Sequence, residues 1–146
     1  MSTARVVACP SCGRKNRVPW ARAGTTAHCG ACKVALVDGD HPLVLGEDEL
    51  EALVAESPVP VLVDFWAPWC GPCKMVAPEV ERLAARASGR FVVAKLDTEK
   101  APRTAARHGI RSIPTFAVFA RGRELARTAG ARSADALESF VLQSAR

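Results

Sequence analysis

The sequence predicts an α/β fold: a mixed central sheet with helices on both faces, preceded by a small cysteine-rich segment. Three observations lead there. Val59–Trp66, a continuous apolar run interrupted only by Asp64, reads as a strand buried on both faces, and Phe91–Leu96 as another buried strand. Segments with apolar residues at helical spacing alternate with these runs. The composition also changes near residue 40. Before it, Cys, Gly, Arg and small residues dominate, with no helical or strand periodicity long enough to bury a core.

The elements follow in order. A short first strand falls near Pro42–Leu45. Asp48–Glu56 carries Leu50, Leu53 and Val54 at i, i+3 and i+4, a helix face. Strand Val59–Trp66 hands over to a helix over Lys74–Ala87, with Val76, Val80, Leu83, Ala84 and Ala87 on one side and Pro78 inside it as a kink. Strand Phe91–Leu96 comes next, then a short helix, Ala101–His108, closed by Gly109. Thr115–Ala120 and Glu124–Ala129, joined at Arg121-Gly122-Arg123, read as an antiparallel hairpin. Ser133 caps a last helix with Leu137, Phe140 and Val141 on one face. Helix-crossed strands pair parallel and the late hairpin adds antiparallel ones, which makes the sheet mixed. The turn chemistry of Val37–Pro42 divides the chain into residues 1–40 and 41–146.

Bulk properties narrow the function. With 146 residues, 49% of them apolar, the chain can pack a core without disulfide staples. No run approaches the ~18–20 apolar residues of a membrane span. Residues 1–9 hold only a short apolar stretch and do not form a signal peptide, so the reading places the protein in the cytoplasm. In that compartment paired cysteines point to metal binding or redox catalysis. Residues 1–40 hold six Lys/Arg against two Asp, and residues 41–146 fourteen against thirteen acidic residues. Zinc held by four thiolates lowers the first segment to about +2. Such a patch suits acidic partners without being a phosphate-binding surface by itself.

The six cysteines fall into pairs of identical local spacing. Cys9-Pro-Ser-Cys12 and Cys29-Gly-Ala-Cys32 make C-x₂-C-x₁₆-C-x₂-C, the spacing of a four-cysteine zinc site. Gly13 gives the first knuckle its backbone freedom, and Lys33 holds the equivalent place after the second. Four thiolates close a tetrahedral site with no open position, which makes the metal structural; iron is the rival ion. His28 reads as a solvated neighbour. Cys70-Gly71-Pro72-Cys73 lies instead where a strand meets a helix. There the two sulfurs can close a small ring, and the helix N-terminus stabilises a thiolate on the first. Half of a metal site is the alternative, but no second ligand pair lies in this part of the chain.

Val63-Asp-Phe-Trp-Ala-Pro-Trp-Cys-Gly-Pro-Cys-Lys-Met75 closely resembles the active-site stretch of the thioredoxin family. The similarity extends to Val93–Asp97, Gly109–Thr115 and Gly130-Ala131, covering roughly residues 42–146 in one register. The four-cysteine segment makes the whole resemble the zinc-bearing bacterial thioredoxin 2 branch. The resemblance implies the thioredoxin fold preceded by a small zinc-ribbon-like segment. It also implies reduction of disulfide-containing protein substrates and re-reduction by a flavin-dependent thioredoxin reductase using NADPH. Carried residue by residue, it makes Cys70 the attacking sulfur and Cys73 the resolving one. Asp64, alone in a buried strand, takes the proton of Cys73, and Lys95 on the neighbouring strand pairs with Asp64 and tunes it. Pro114 matches the family's cis-proline. With Ile113, Trp69, Gly71, Pro72, Gly130 and Ala131 it forms the substrate-binding patch. Trp66 packs beneath the loop. The role of the zinc segment stays open among partner choice, stability and oxidative-stress sensing.

A different class competes: a basic ribbon gripping nucleic acid beside a docking platform. In residues 1–40 only Trp20 could stack on bases, so nucleic acid is disfavoured. An oxidant or isomerase of secreted proteins would share the fold; Gly71-Pro72 between the cysteines favours the reductase.

Overall fold

A computed structural model describes residues 4–36, 41–87 and 89–145; the expected boundary turn at 37–40 lies outside the described residues. The larger unit is a five-stranded sheet in the order β5-β7-β6-β8-β9, from β5 (Leu43–Leu45), β6 (Val61–Trp66), β7 (Val92–Asp97), β8 (Thr115–Ala120) and β9 (Arg123–Ala129). β5 and β6 run parallel to β7, whereas β8 pairs antiparallel with β6, and β9 with β8. The sheet is mixed, as the alternation predicts. β6 begins at Val61 rather than Val59, because Pro60 has no amide to donate; its carbonyl still accepts from Val92 N at 2.9 Å.

Four helices cover the sheet: α1 (Glu47–Glu56), α2 (Gly71–Ala87), α3 (Pro102–Arg107) and α4 (Ala134–Ser144). The period-2 alternation of β6 divides the core. Val61, Val63 and Phe65 pack with Leu50 and Leu53 of α1. Leu62 packs on the other side with Val76, Val80 and Leu83 of α2 and Leu137 and Val141 of α4. By the same alternation Asp64 of β6, with its register partner Lys95 of β7, faces the α2 side. Helix ends are satisfied locally. Ser133 Oγ accepts from Ala136 N at 3.1 Å, and Glu49 accepts from Gly46 N at 3.0 Å. Glu47 accepts from the first amides of α3, Arg103 N and Thr104 N, both at 3.1 Å. The Thr104 amide, chiefly, holds the Glu47 carboxyl below its ordinary range.

The amino-terminal segment is the expected small ribbon, built of strands too short to show a period in the sequence. It contains two antiparallel pairs, β1 (Ala4–Ala8) with β2 (Lys15–Pro19) and β3 (Ala27–His28) with β4 (Ala35–Leu36). A single 3-10 turn, Trp20–Arg22, separates the pairs. The segment's own core is small: Cys9, Val18, Cys29 and Leu36. Trp20 does not join it. The indole is 1% exposed and packs with Leu50, Leu53, Val61 and Val92, inside the core of the larger unit.

The next turn seals the contact. Gly24 has φ +80°, and a Cβ there would lie 2.8 Å from Val59 Cγ2, so only glycine fits. Gly89 likewise has φ +80° and lies against the Gly24 carbonyl. The ribbon therefore docks where β6 begins and α2 ends. Cys70 and Cys73 lie at the opposite end of both elements, and the 17 residues of α2 measure about 26 Å. Among the described residues no helix is long and apolar enough to cross a membrane.

Candidate active site and metal centre

β6 delivers the chain to a tight turn, Ala67–Cys70, closed by Cys70 N on Ala67 O at 3.1 Å; α2 starts one residue later. Gly71, Pro72 and Cys73 are the first helical residues, where Pro72 lacks an amide that would have no helical partner anyway. Cys70 thus sits at the helix N-cap. Its Sγ accepts from Cys73 N at 3.2 Å, the role a capping oxygen plays, so the same donor and the helix dipole would favour a thiolate. Cys70 and Cys73 are joined by a disulfide with Cα atoms 5.2 Å apart. This is the oxidised form of the pair. Both cysteines are nearly buried, Cys70 at 4% and Cys73 at 3% exposed.

The Ile113–Pro114 peptide bond is cis, as the resemblance implies. The Ile113 carbonyl oxygen lies 3.7 Å from Cys70 Sγ, and Ile113 packs beside both cysteines. Gly130 N donates to Pro114 O at 2.9 Å, which joins the expected Gly130 to the proline segment. Ala131, next to it, is exposed, as are Gly71 and Pro72. Trp69 is 65% exposed and donates Nε1 to Glu99 Oε1 at 2.6 Å. Met75, the fifth residue of α2, is 77% exposed and adds apolar surface two residues after Cys73.

Asp64 is 1% exposed, and its Oδ1 has no hydrogen-bond partner among the described residues. Burial raises its carboxyl to about 7, with Lys95 pulling the other way. The Lys95 ammonium lies over the Trp66 ring, 4.6 Å from its centroid, and makes no ion pair with Asp64 among the described residues. Lys95 thus acts on Asp64 through space. Trp66 packs against Ala67 and both cysteines, the place expected beneath the loop.

The amino-terminal cysteines form the second cluster. The Sγ atoms of Cys9, Cys12, Cys29 and Cys32 all lie within 4.8 Å of one another, with Cys9–Cys32 and Cys12–Cys29 at 3.6 Å. A tetrahedral ion with sulfur at ~2.3 Å requires sulfurs ~3.8 Å apart, so the cluster fits zinc. The two knuckles repeat each other. Gly13 N and Lys33 N each donate to the first cysteine's carbonyl at 3.0 Å, with φ of +79° and +67°. Cys9 Sγ accepts from Ser11 N at 3.4 Å and Cys12 N at 3.5 Å; Cys29 Sγ accepts from Ala31 N at 3.4 Å. Backbone donors, the Cys32 amide foremost, bring the Cys29 thiol down to about 6, and the Cys12 amide chiefly lowers Cys9. His28 is exposed, consistent with a solvated neighbour.

Sequence reasoning missed three residues. Asn16, buried in β2, donates Nδ2 to Arg14 O at 3.1 Å and accepts from Gly30 N at 3.0 Å, so it ties one knuckle to the other. An asparagine at an inward position of a strand is a signal that could have been read. Glu99 as the partner of Trp69 and Trp20 as a core residue of the larger unit carried no local signal.

The family model described as Thioredoxin matches residues 41–143, and the zinc-ribbon model described as Thioredoxin 2, N-terminal, matches residues 8–34. The chain is 40% identical over 138 residues to Thioredoxin C-3 of Corynebacterium nephridii, covering 94% of each chain. It is 41% identical over 131 residues to the chloroplastic Thioredoxin M4 of Arabidopsis thaliana, covering 90% of this chain and 67% of the other. A mutant thioredoxin from Halobacterium salinarum NRC-1 superposes with a TM-score of 0.67 at 34% identity, covering 75% of this chain and 96% of that one. With the cysteine pair at the head of α2 beside a cis-proline and a four-cysteine ribbon in front, the chain belongs to the thioredoxin family and is a thiol–disulfide oxidoreductase.

Proposed function

We propose that the chain is a protein-disulfide reductase: residues 41–146 carry the exchange chemistry and residues 1–40 hold one structural zinc ion. The observation that carries this reading is the placement of Cys70. Its sulfur sits at the helix N-cap, accepting an amide from Cys73, with the Ile113 carbonyl alongside. In the reduced enzyme, Cys70 as a thiolate attacks one sulfur of a substrate disulfide. A mixed disulfide forms and the other substrate sulfur leaves as a thiolate. Asp64 accepts the Cys73 proton, and Cys73 attacks Cys70 Sγ. The second substrate thiolate leaves, both products take up protons, and Cys70–Cys73 is left as the disulfide. Two electrons have passed from enzyme to substrate.

The exposed Trp69, Gly71, Pro72 and Gly130, with half-buried Ile113 and buried cis-Pro114 behind them, support binding of an extended substrate segment beside the disulfide. Restoring the dithiol needs two electrons from a partner, and family membership supports thioredoxin reductase and, through it, NADPH as their source. Cys9, Cys12, Cys29 and Cys32 would hold zinc, which closes the ribbon and leaves no open coordination position. Four ligating thiolates suit a reducing compartment, so the reading places the protein in the cytoplasm. Cys73→Ser tests the roles. The variant should attack but accumulate as a mixed disulfide with substrate, detected by intact mass. Turnover at the wild-type rate would refute the assignment.

A further inference from the structure

The ribbon carries a feature that disulfide exchange does not use. Residues 4–36 contain six Lys/Arg and neither Asp nor Glu, a net charge of about +4 once zinc is held by four thiolates. A groove of about 380 Å³ runs along this segment. Arg14, Lys15, Arg17, Arg22 and His28 line it, and among the described residues no carboxylate does. In the larger unit Arg86, Arg90 and Arg127 each meet a carboxylate. Arg14, Lys15 and Arg22 are exposed, and among the described residues their side chains have no ion-pair partner. Among the described residues the groove therefore holds uncompensated positive charge at Arg14, Lys15 and Arg22.

Its walls also have a direction. β2 and β3 both line it, and each belongs to a two-stranded sheet, so each has one edge without a strand partner among the described residues. An extended peptide could satisfy such an edge through its own backbone while its carboxylates meet the arginines and lysine. The five residues of β2 correspond to about 17 Å of extended chain. Nucleic acid fits less well. Trp20, the one aromatic residue of the ribbon, is 1% exposed and offers no face for a base.

We infer that this groove docks an extended acidic segment of a protein partner. It lies on the unit seated at the opposite end of the sheet from Cys70, so the docked segment is separate from the disulfide being reduced. Tethering at the ribbon raises the local concentration of that disulfide at Cys70. The partner class rests on the reductase reading; the binding itself does not.

The test uses the full zinc-loaded chain. Fluorescence anisotropy compares a labelled, cysteine-free Asp/Glu peptide with a Ser/Gly peptide of the same length and with labelled oligothymidylate. The acidic peptide should bind best. The pair Lys15→Glu and Arg22→Glu should weaken it about tenfold with zinc content retained. If that variant loses zinc, raising NaCl from about 50 to about 300 mM on the unmodified chain should weaken binding to a similar degree. In parallel, kcat/KM is measured for one disulfide substrate carrying the acidic or the neutral tail. The acidic tail should be favoured, and the double variant should abolish that preference. Equal affinity for the acidic and Ser/Gly peptides, or tighter binding of oligothymidylate, overturns the inference. Turnover without tail preference also overturns it, while peptide binding without any turnover would sink the reductase reading and leave the groove standing.

Discussion

Replacing Asp64 by Asn should stabilise the oxidised protein in alkali and leave it almost unchanged in acid. The carboxyl is 1% exposed, one of its oxygens lacks a hydrogen-bond partner among the described residues, and Lys95 rests on Trp66. Burial moves its titration from 3.8 to about 7. Because the folded value lies above the unfolded one, the folded state keeps the proton longer. Stability therefore falls as pH rises from about 4 to about 7, and the loss is complete above that window. The displacement corresponds to about 4 kcal/mol. An amide of the same shape carries no such charge. The assay is guanidinium unfolding of both oxidised proteins near pH 4 and pH 9, read as the midpoint with its slope checked. The variant's advantage should be near zero in acid and about 4 kcal/mol in alkali. An equal difference at both pH values, or a less stable variant in alkali, would refute the reasoning.

Two further substitutions probe the ribbon. Trp20→Ala removes a fully buried indole from the core shared with α1 and β6, and should destabilise the larger unit by about 3–5 kcal/mol, measured by chemical denaturation. Asn16→Ala strips Gly30 N of its acceptor and unties the knuckles; zinc affinity, titrated against a colorimetric chelator, should fall about 10–100-fold.

The larger unit was legible because its signals are local and repeated. The α2 face, Cys73, Val76, Val80, Leu83, Ala84 and Ala87, shows its helical period in the sequence, and β6 shows its burial as an apolar run. The dithiol was equally plain, since Cys70 to Cys73 spans one helical turn at a strand-to-helix junction. The ribbon's strands were not. β3 and β4 are two residues long, and the hairpins are shaped by sulfur-accepting turns and by Asn16 rather than by apolar periodicity. Trp20 was unreadable for a different reason: a buried ring names no partner, and its partners lie some thirty to seventy positions along the chain. Glu99 was hidden likewise, being fixed only by where the loop after β7 brings it against Trp69.

The ribbon's seat at the start of β6 and the end of α2 bears on a hazard of carrying six cysteines in one chain. Thiol–disulfide exchange needs sulfur to touch sulfur, and a thiolate that reaches Cys70 becomes a competitor for every substrate. In this fold the four ribbon sulfurs contact one another, while among the described residues the sulfurs of Cys70 and Cys73 meet no other sulfur than each other's. The stiff length of α2 lies between the docking seam and the dithiol. Position thus acts as insulation: the enzyme can cycle between dithiol and disulfide without shuffling its own metal ligands.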